Sequence, residues 1–314
     1  MKLLELVNTY VAFKHSLGMR FRTQPRILRR FSRVLGDIDV CHVTQQAVRA
    51  FLDGDRPLTN TWFLNYKLLR GLFSFAITRG YLRRSPLPDC TPAPLPPFRP
   101  HIYSTSELSA LLTATSVLKS ARNPMQPLTF RVLLLILYGT GMRVGEALRL
   151  SLQDADLHSR VLTIRDTKFF KSRLVPLGPQ LTAELVVFRK RRSALPMPQL
   201  ESSAFFASST GRALPYQHVI TLFQRVRKAA GIQRDEGSSY PPRLHDLRHT
   251  AAVHRIIAWY RNGADVQHLL SPLATYLDHK DLRGTQHYLS MTPELLEQAC
   301  LRFQNYVDLE VKHA

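Results

Sequence analysis

Cysteine is scarce. The three present, Cys41, Cys90 and Cys300, lie far apart and show no paired metal-ligand spacing, which argues against a disulfide framework and against a thiolate metal centre, and fits a reducing compartment. Long hydrophobic runs are missing too. The longest, Val132 to Leu137, is too short to span a bilayer, so no membrane association is expected. The N-terminal stretch Met1 to Phe13 places Glu5 and Asn8 among its apolar residues and leads to no small-residue cleavage site, which argues against a signal peptide and for a cytoplasmic location. No fixed-period repeat is present, and the one low-complexity segment is a short proline-rich stretch. Acids are in deficit, with 23 Asp+Glu against 43 Lys+Arg and a formal charge of +20.

What is present is enough for globular structure. With 314 residues, 45% hydrophobic and 21% charged, the chain can bury cores in two ordinary domains. The positive balance favours a polyanionic partner, of which nucleic acid is the obvious candidate; an anionic membrane surface or plain solubility would leave the same signature.

From Lys2 to about Arg84 the apolar spacing is helical. Leu3, Leu4, Val7, Tyr10, Val11 and Phe13 mark one helix; Ile27, Leu28, Phe31 and Val34 mark a second that stops at Gly36. Thr44 can cap a third, and Thr59 or Asn60 can open a longer fourth through Trp62, Leu64, Leu68, Leu72, Phe75 and Ala76 to Gly80. Arginines and lysines stand between these apolar positions with few acids nearby; Arg22, Arg26, Arg29, Arg30, Lys67 and Arg70 are the candidate DNA contacts, although any one of them alone reads as an ordinary solvated side chain. Seven prolines between Ser85 and Pro100 rule out helix and central strand there and predict a semi-rigid spacer. The expected layout is therefore residues 1–84 helical, 85–100 linker, 101–302 a second domain, and 303–314 a tail.

In the second domain, Ser104 and Glu107 form a capping-box pattern. An apolar helix from about Leu128 is expected to break at Gly139 and Gly141, with a new one near Met142 that puts Arg143 in its first turn and Glu146 at i+3 as its partner. Val161 to Ile164 and Arg173 to Gly178 read as strands joined by a turn carrying Lys168 and Lys171. Helical patterns follow over 181–192 and 215–230, another starts near Leu244, and Ser271-Pro272 predicts the start of a further helix.

Two phrases carry chemistry: RLHDLRHTAAVHR, with His245 and Arg248, and LDHKDLRGTQHYL, with His279 and, nine residues on, Tyr288. Guanidinium and imidazole donors stabilise the charge that gathers on a phosphodiester in its five-coordinate transition state, and the planar fork of Arg meets two phosphate oxygens at once. A tyrosine supplies an oxygen nucleophile and a covalent intermediate, but its ordinary pKa of about 10 demands a nearby base or a positive pocket. His245 is the candidate base. A lysine on the hairpin could protonate the departing 5′ oxygen. A metal set from His245, His249 and His254 is disfavoured, since His249 and His254 are five apart and no Cys or acid completes a site; no metal or cofactor is expected. Tyr276 and Tyr306 compete with Tyr288 as nucleophile, the first on a packed helix and the second beyond the motif.

In order, T-G-M-R-V-G-E around Arg143, the lysine hairpin ending in R-L-V-P-L, H-D-L-R-H-T, and then His279 and Tyr288 resemble the tyrosine recombinase (phage integrase) family over nearly the whole chain. The resemblance implies a mainly α protein with a small β-sheet: an N-terminal helical, SAM-like core-binding domain and a mixed α+β catalytic domain. It implies that Arg143 and Arg248 clamp the scissile phosphate, His245 assists proton transfer, His279 donates to a phosphate oxygen, Tyr288 forms a 3′-phosphotyrosine, Lys168 is the hairpin lysine and Glu146 a supporting acid. It also implies double-stranded DNA as partner, a dimer to tetramer on DNA assembled through the C-terminal helix, and a role with a mobile element. Two departures stand out: Asp278 where the family usually has Gly before the distal His, and Phe169-Phe170 where a Gly is common. A type IB-like topoisomerase and a non-catalytic DNA-binding regulator of the same fold are the alternatives.

Overall fold

The computed structural model describes residues 1–55, 58–95, 98–121, 123–165, 172–233, 240–278 and 283–290, with Leu295, Glu297, Cys300 and Leu301 beyond them. The chain divides into two compact units, Met1–Phe98 and Arg99–Ala314.

Among its described residues the first unit has four α-helices, α1 (Leu3–Ser16), α2 (Gln24–Leu35), α3 (Gln45–Asp53) and α4 (Asn60–Thr78). Their order follows the apolar spacing of the sequence. Leu3, Leu6, Val7, Leu28, Phe31, Val48, Leu69, Leu72 and Phe73 form the core, with Phe31 edge-on to Phe51 at 4.9 Å between ring centroids. Thr44 caps α3 by accepting the amide of Ala47 at 3.2 Å. Leu4, Val34 and Leu64, which the spacing puts on packing faces, are instead exposed, because each sits at the margin of an apolar stripe narrower than the pattern suggests. Part of the proline-rich segment is fastened to this unit: Gln45 Nε2 donates to the Leu87 carbonyl at 3.2 Å and to Asp89 at 3.3 Å.

The second unit is built on α6 (Gln126–Thr140), which is buried along most of its length and packs against α8 (Pro179–Ser193) and α10 (Asp246–Arg261). Before it comes α5 (Thr105–Ala114), opened by the Ser104–Glu107 capping box. The short α7 (Val144–Ala147) follows α6, then a three-stranded antiparallel sheet of β1 (Ala155–Asp156), β2 (Val161–Ile164) and β3 (Arg173–Pro176), with Leu162 opposite Val175 and Ile164 opposite Arg173. Leu162, Ile164 and Val175 enter the main core. After α8 come α9 (Tyr216–Ala229), α10, α11 (Val266–Tyr276) and α12 (Arg283–Gln286), the last continued as a 3-10 turn over His287–Ser290. A smaller core joins α10, α11 and the ring of Tyr288.

Two boundaries differ from expectation. Helix α6 does not break at Gly139 but runs to Thr140; a Cβ at 139 would lie 2.9 Å from Leu181, so the glycine allows close packing of α8. Gly141 then ends it at φ 62°, in the left-handed region that glycine enters at least cost. Pro272 does not open a helix. It lies inside α11, which starts earlier because Asp265 accepts the amide of His268, and burial of Val266, Leu270 and Leu273 holds the helix through the proline. Among the described residues no helix is long and apolar enough to cross a membrane.

Candidate active site

Arg143 is the N-cap of α7, not a first-turn residue, with extended backbone at φ −72° and ψ 144°. Glu146 reaches back to the Arg143 amide at 2.9 Å, as a helix-start acid does, and also takes the Arg143 guanidinium at 2.7 Å. The expected i+3 partnership is therefore present, but a residue far along the chain shares it. Arg173, the first residue of β3, donates to the other Glu146 oxygen at 2.8 Å. Glu146 is 4% exposed; burial alone would raise its pKa, yet the two guanidiniums hold it down to about 2.

The second acid in this cluster is Asp278. It follows the end of α11 in the left-handed region, at φ 56°, where the chain turns sharply. Its carboxylate accepts from Arg143 Nη1 at 2.6 Å and its carbonyl from Nη2 at 2.9 Å. Arg173 Nη1 lies 3.7 Å from the same carboxylate. Desolvation works against the charge of Arg143, but the bonds to Asp278 and Glu146 outweigh it and raise its pKa.

Arg248 projects from the first turn of α10 and is 4% exposed. One arm donates to the Gly141 carbonyl at 2.8 Å and the other to the Leu277 carbonyl. Gly141 is needed here twice over, for its positive φ and because a Cβ would lie 2.8 Å from Leu277. Burial first, then the neighbouring Arg143, brings the guanidinium down to about 10, still charged at neutral pH. The Arg248 charge acts on the phenol of Tyr288, which is 2% exposed. Burial raises the Tyr288 pKa above the ordinary value and the guanidinium offsets only part of that, so the phenol is protonated at neutral pH.

His245 is the N-cap of α10 and remains exposed, while His249, one turn on, packs between it and Tyr288: ring centroids are 5.3 Å apart for His245 and His249 and 5.7 Å for His249 and Tyr288. Desolvation and the charges of Arg248, Arg243 and Arg143 lower the His245 pKa, so the ring is neutral at pH 7 and keeps a lone pair for a proton. Desolvation first, then the neighbouring His245, takes His249 to about 4. Its Nδ1 is buried with no hydrogen-bond partner among the described residues. The start of α10 is anchored from below. Asp246, fully buried, takes the Arg243 amide and guanidinium, both at 2.9 Å, and Tyr103 bonds the Arg243 carbonyl at 3.0 Å.

Arg143, Glu146, His245, Arg248 and Tyr288 thus meet at one place, drawn from α7, α10 and the turn after α12. Lys168 and His279 lie outside the described residues, as does most of the expected C-terminal helix. Arg22, Arg26, Arg29, Arg30, Lys67 and Arg70 are all exposed on the first unit. Sequence reasoning missed Arg173 as a member of the cluster; its only signal was a cation at the head of a strand next to the lysine turn.

The profile of the phage integrase family matches residues 105–294. A Sinorhizobium fredii (strain NBRC 101917 / NGR234) protein named as a putative integrase/recombinase, y4rE, is 35% identical over 305 residues, 95% of this chain and 94% of its own. The tyrosine recombinase XerD of Mycobacterium tuberculosis (strain CDC 1551 / Oshkosh) is 30% identical over 288 residues, 87% of each chain. In fold, lambda integrase, solved as a tetramer bound to a Holliday junction, superposes with a TM-score of 0.69 at 20% identity, over 92% of this chain and 77% of that one. With a family profile covering most of its second unit and relatives of this identity along nearly its whole length, the chain belongs to the phage integrase family and is a tyrosine site-specific recombinase.

Proposed function

We propose that Tyr288 is the nucleophile that cleaves one DNA strand and holds it as a 3′-phosphotyrosine until a second 5′ hydroxyl attacks and restores the backbone. The observation that carries this reading is the buried Arg248 guanidinium, fixed by the carbonyls of Gly141 and Leu277, in the site where His249 packs against the ring of Tyr288 and where the Arg248 charge acts to lower the phenol's pKa. That arrangement sets a positive donor beside the attacking oxygen, where it can also meet the phosphorus substituents as they gather charge. Arg143 is the second phosphate ligand, and neutral His245 is assigned from the family pattern as the group that assists transfer of the phenolic proton. Lys168 is assigned as acid for the departing 5′ oxygen and His279 as a donor to a non-bridging oxygen, both from the family pattern. Because the phosphotyrosine conserves the energy of the phosphodiester, religation requires no nucleotide cofactor.

The partner is double-stranded DNA. The exposed arginines and lysines of α2 and α4 in residues 1–84 make phosphate contacts, while residues 101–302 carry out the chemistry. The protein acts as a dimer to tetramer on DNA through its C-terminal segment, in the cytoplasm, in the service of a mobile element. The names of its relatives favour exchange between sites over relaxation by a topoisomerase or binding by an idle regulator.

The test uses a nicked suicide duplex built from DNA that co-purifies with the protein from its host. In EDTA the protein forms a covalent adduct, and Tyr288→Phe forms none. Adduct formation by that variant at the normal rate overturns the assignment, and relaxation of a plasmid lacking the site replaces it with the topoisomerase reading.

A further inference from the structure

The acid at position 278 sits where a phosphate is needed. Arg143 gives Nη1 to the Asp278 carboxylate at 2.6 Å and Nη2 to the Asp278 carbonyl at 2.9 Å, so both ends of its fork are engaged by one residue. One anionic carboxylate oxygen and one carbonyl oxygen thus take the two donor positions that two phosphate oxygens would use. The incoming phosphate and Asp278 cannot share that fork at close range without strong repulsion.

The carboxylate has a second cation within reach. Arg173 Nη1 stands 3.7 Å from Asp278 Oδ2, too long for a hydrogen bond but close enough for a side-chain rotation to make one. Arg173 is also under-satisfied: its Nε is buried with no partner among the described residues, although both terminal nitrogens reach Glu146. Asp278 is further placed at the junction of the site's parts. Leu277, just before it, accepts from Arg248, and His279 is its next neighbour in sequence.

We propose that Asp278 is a two-position acid, which holds Arg143 in the DNA-free protein and passes to Arg173 when the scissile phosphate takes Arg143. Asp278 is a positioning residue in this scheme: it keeps the Arg143 fork aimed before DNA arrives, and its departure neutralises part of Arg173 when phosphate arrives. The scheme rests on Arg143 being a phosphate ligand. No bond to DNA changes in this step; one ion pair is exchanged for another.

The experiment reads binding and cleavage separately. Calorimetry of the DNA-free full chain with inorganic phosphate compares wild type with Asp278→Asn, which keeps the shape and the backbone carbonyl, and with Asp278→Gly, which suits the positive φ at this position and so guards against misfolding of the first. Loss of one competing charge-assisted bond corresponds to roughly tenfold tighter phosphate binding in both variants. Arg143→Ala introduced into Asp278→Asn removes the gain. In the suicide-duplex assay the DNA concentration for half-maximal adduct falls by a similar factor, with the change in half-saturation rather than in the plateau. Arg173→Lys, which keeps charge but loses the fork, raises the half-saturating concentration severalfold, and Asp278→Asn on top of it cancels that defect. Equal or weaker phosphate binding in both Asp278 variants, or strictly additive effects of the two substitutions, overturns the proposal. Absence of any wild-type adduct alongside the expected phosphate titration would instead count against Tyr288 chemistry and leave the exchange standing.

Discussion

On α2, Arg26, Arg29 and Arg30 stand exposed on a helix that contains no acid, while in the second unit Arg248 is 4% exposed and Arg173 and Arg143 share the buried Glu146 between them. One residue type thus serves two physical regimes. An exposed guanidinium is hydrated, loosely held and screened by salt beyond about 8 to 10 Å, so it supplies long-range attraction and little geometry. A buried one must have its donors satisfied, and satisfying them fixes its direction to within a hydrogen bond's tolerance. The first unit's arginines therefore suit gathering DNA, and the second unit's suit holding one phosphorus.

Four variants break or sharpen that contrast. Arg248→Ala removes a donor from the reacting centre and leaves the carbonyls of Gly141 and Leu277 without their partner; adduct formation in the suicide-duplex assay falls roughly a hundred- to a thousandfold. Glu146→Gln leaves two guanidiniums without their shared acid, and chemical denaturation shows a loss of about 3 kcal/mol. The pH dependence has a definite sign. The Glu146 pKa is lowered from 4.5 unfolded to about 2 folded, so its contribution is complete above the first value and disappears as pH falls toward the second. Stability measured across that range falls less steeply in the Gln variant than in the native protein.

The exposed arginines behave otherwise. Arg29→Ala with Arg30→Ala weakens DNA binding and makes the slope of log affinity against log salt shallower by about two, near 0.9 for each phosphate no longer neutralised. Stability stays within about 0.5 kcal/mol of wild type, since neither side chain is buried. Adduct formed per bound complex is unchanged. If that yield collapses too, the contrast between gathering and chemistry is wrong. The smallest effect belongs to a residue outside both sets: Thr44→Ala removes the cap of α3 and costs about 1 kcal/mol by thermal denaturation, with no change in DNA affinity.

Where structure was set by neighbours in sequence, the sequence was readable. The Ser104–Glu107 box, the Thr44 cap and the paired strands 161–164 and 173–176 all stand where local pattern puts them, because caps and alternation act within a few residues. Pro272 misled for the converse reason: a local rule for helix starts was overridden by an earlier Asp265 cap and by side chains packed along α11. Gly139 reads as a breaker until α8 is seen to lie on it. In the site, the order of His, Arg and Tyr pointed to the family, but the identity of each partner did not follow from spacing. Arg173 meets Glu146 from 27 residues away, and Asp278 meets Arg143 from 135.

Residue types and their order determined that this chain makes helices and a small sheet, carries a surplus of cations, and bears the ordered Arg, His and Tyr motifs of its family. Only the tertiary structure decided which cations face solvent and which face an acid, and that the Asp after α11 closes on the guanidinium of Arg143. The physical reason is range: helix periodicity and capping are settled within a turn or two of backbone, whereas a buried charge takes its pKa, its direction and its partner from whatever the fold packs against it.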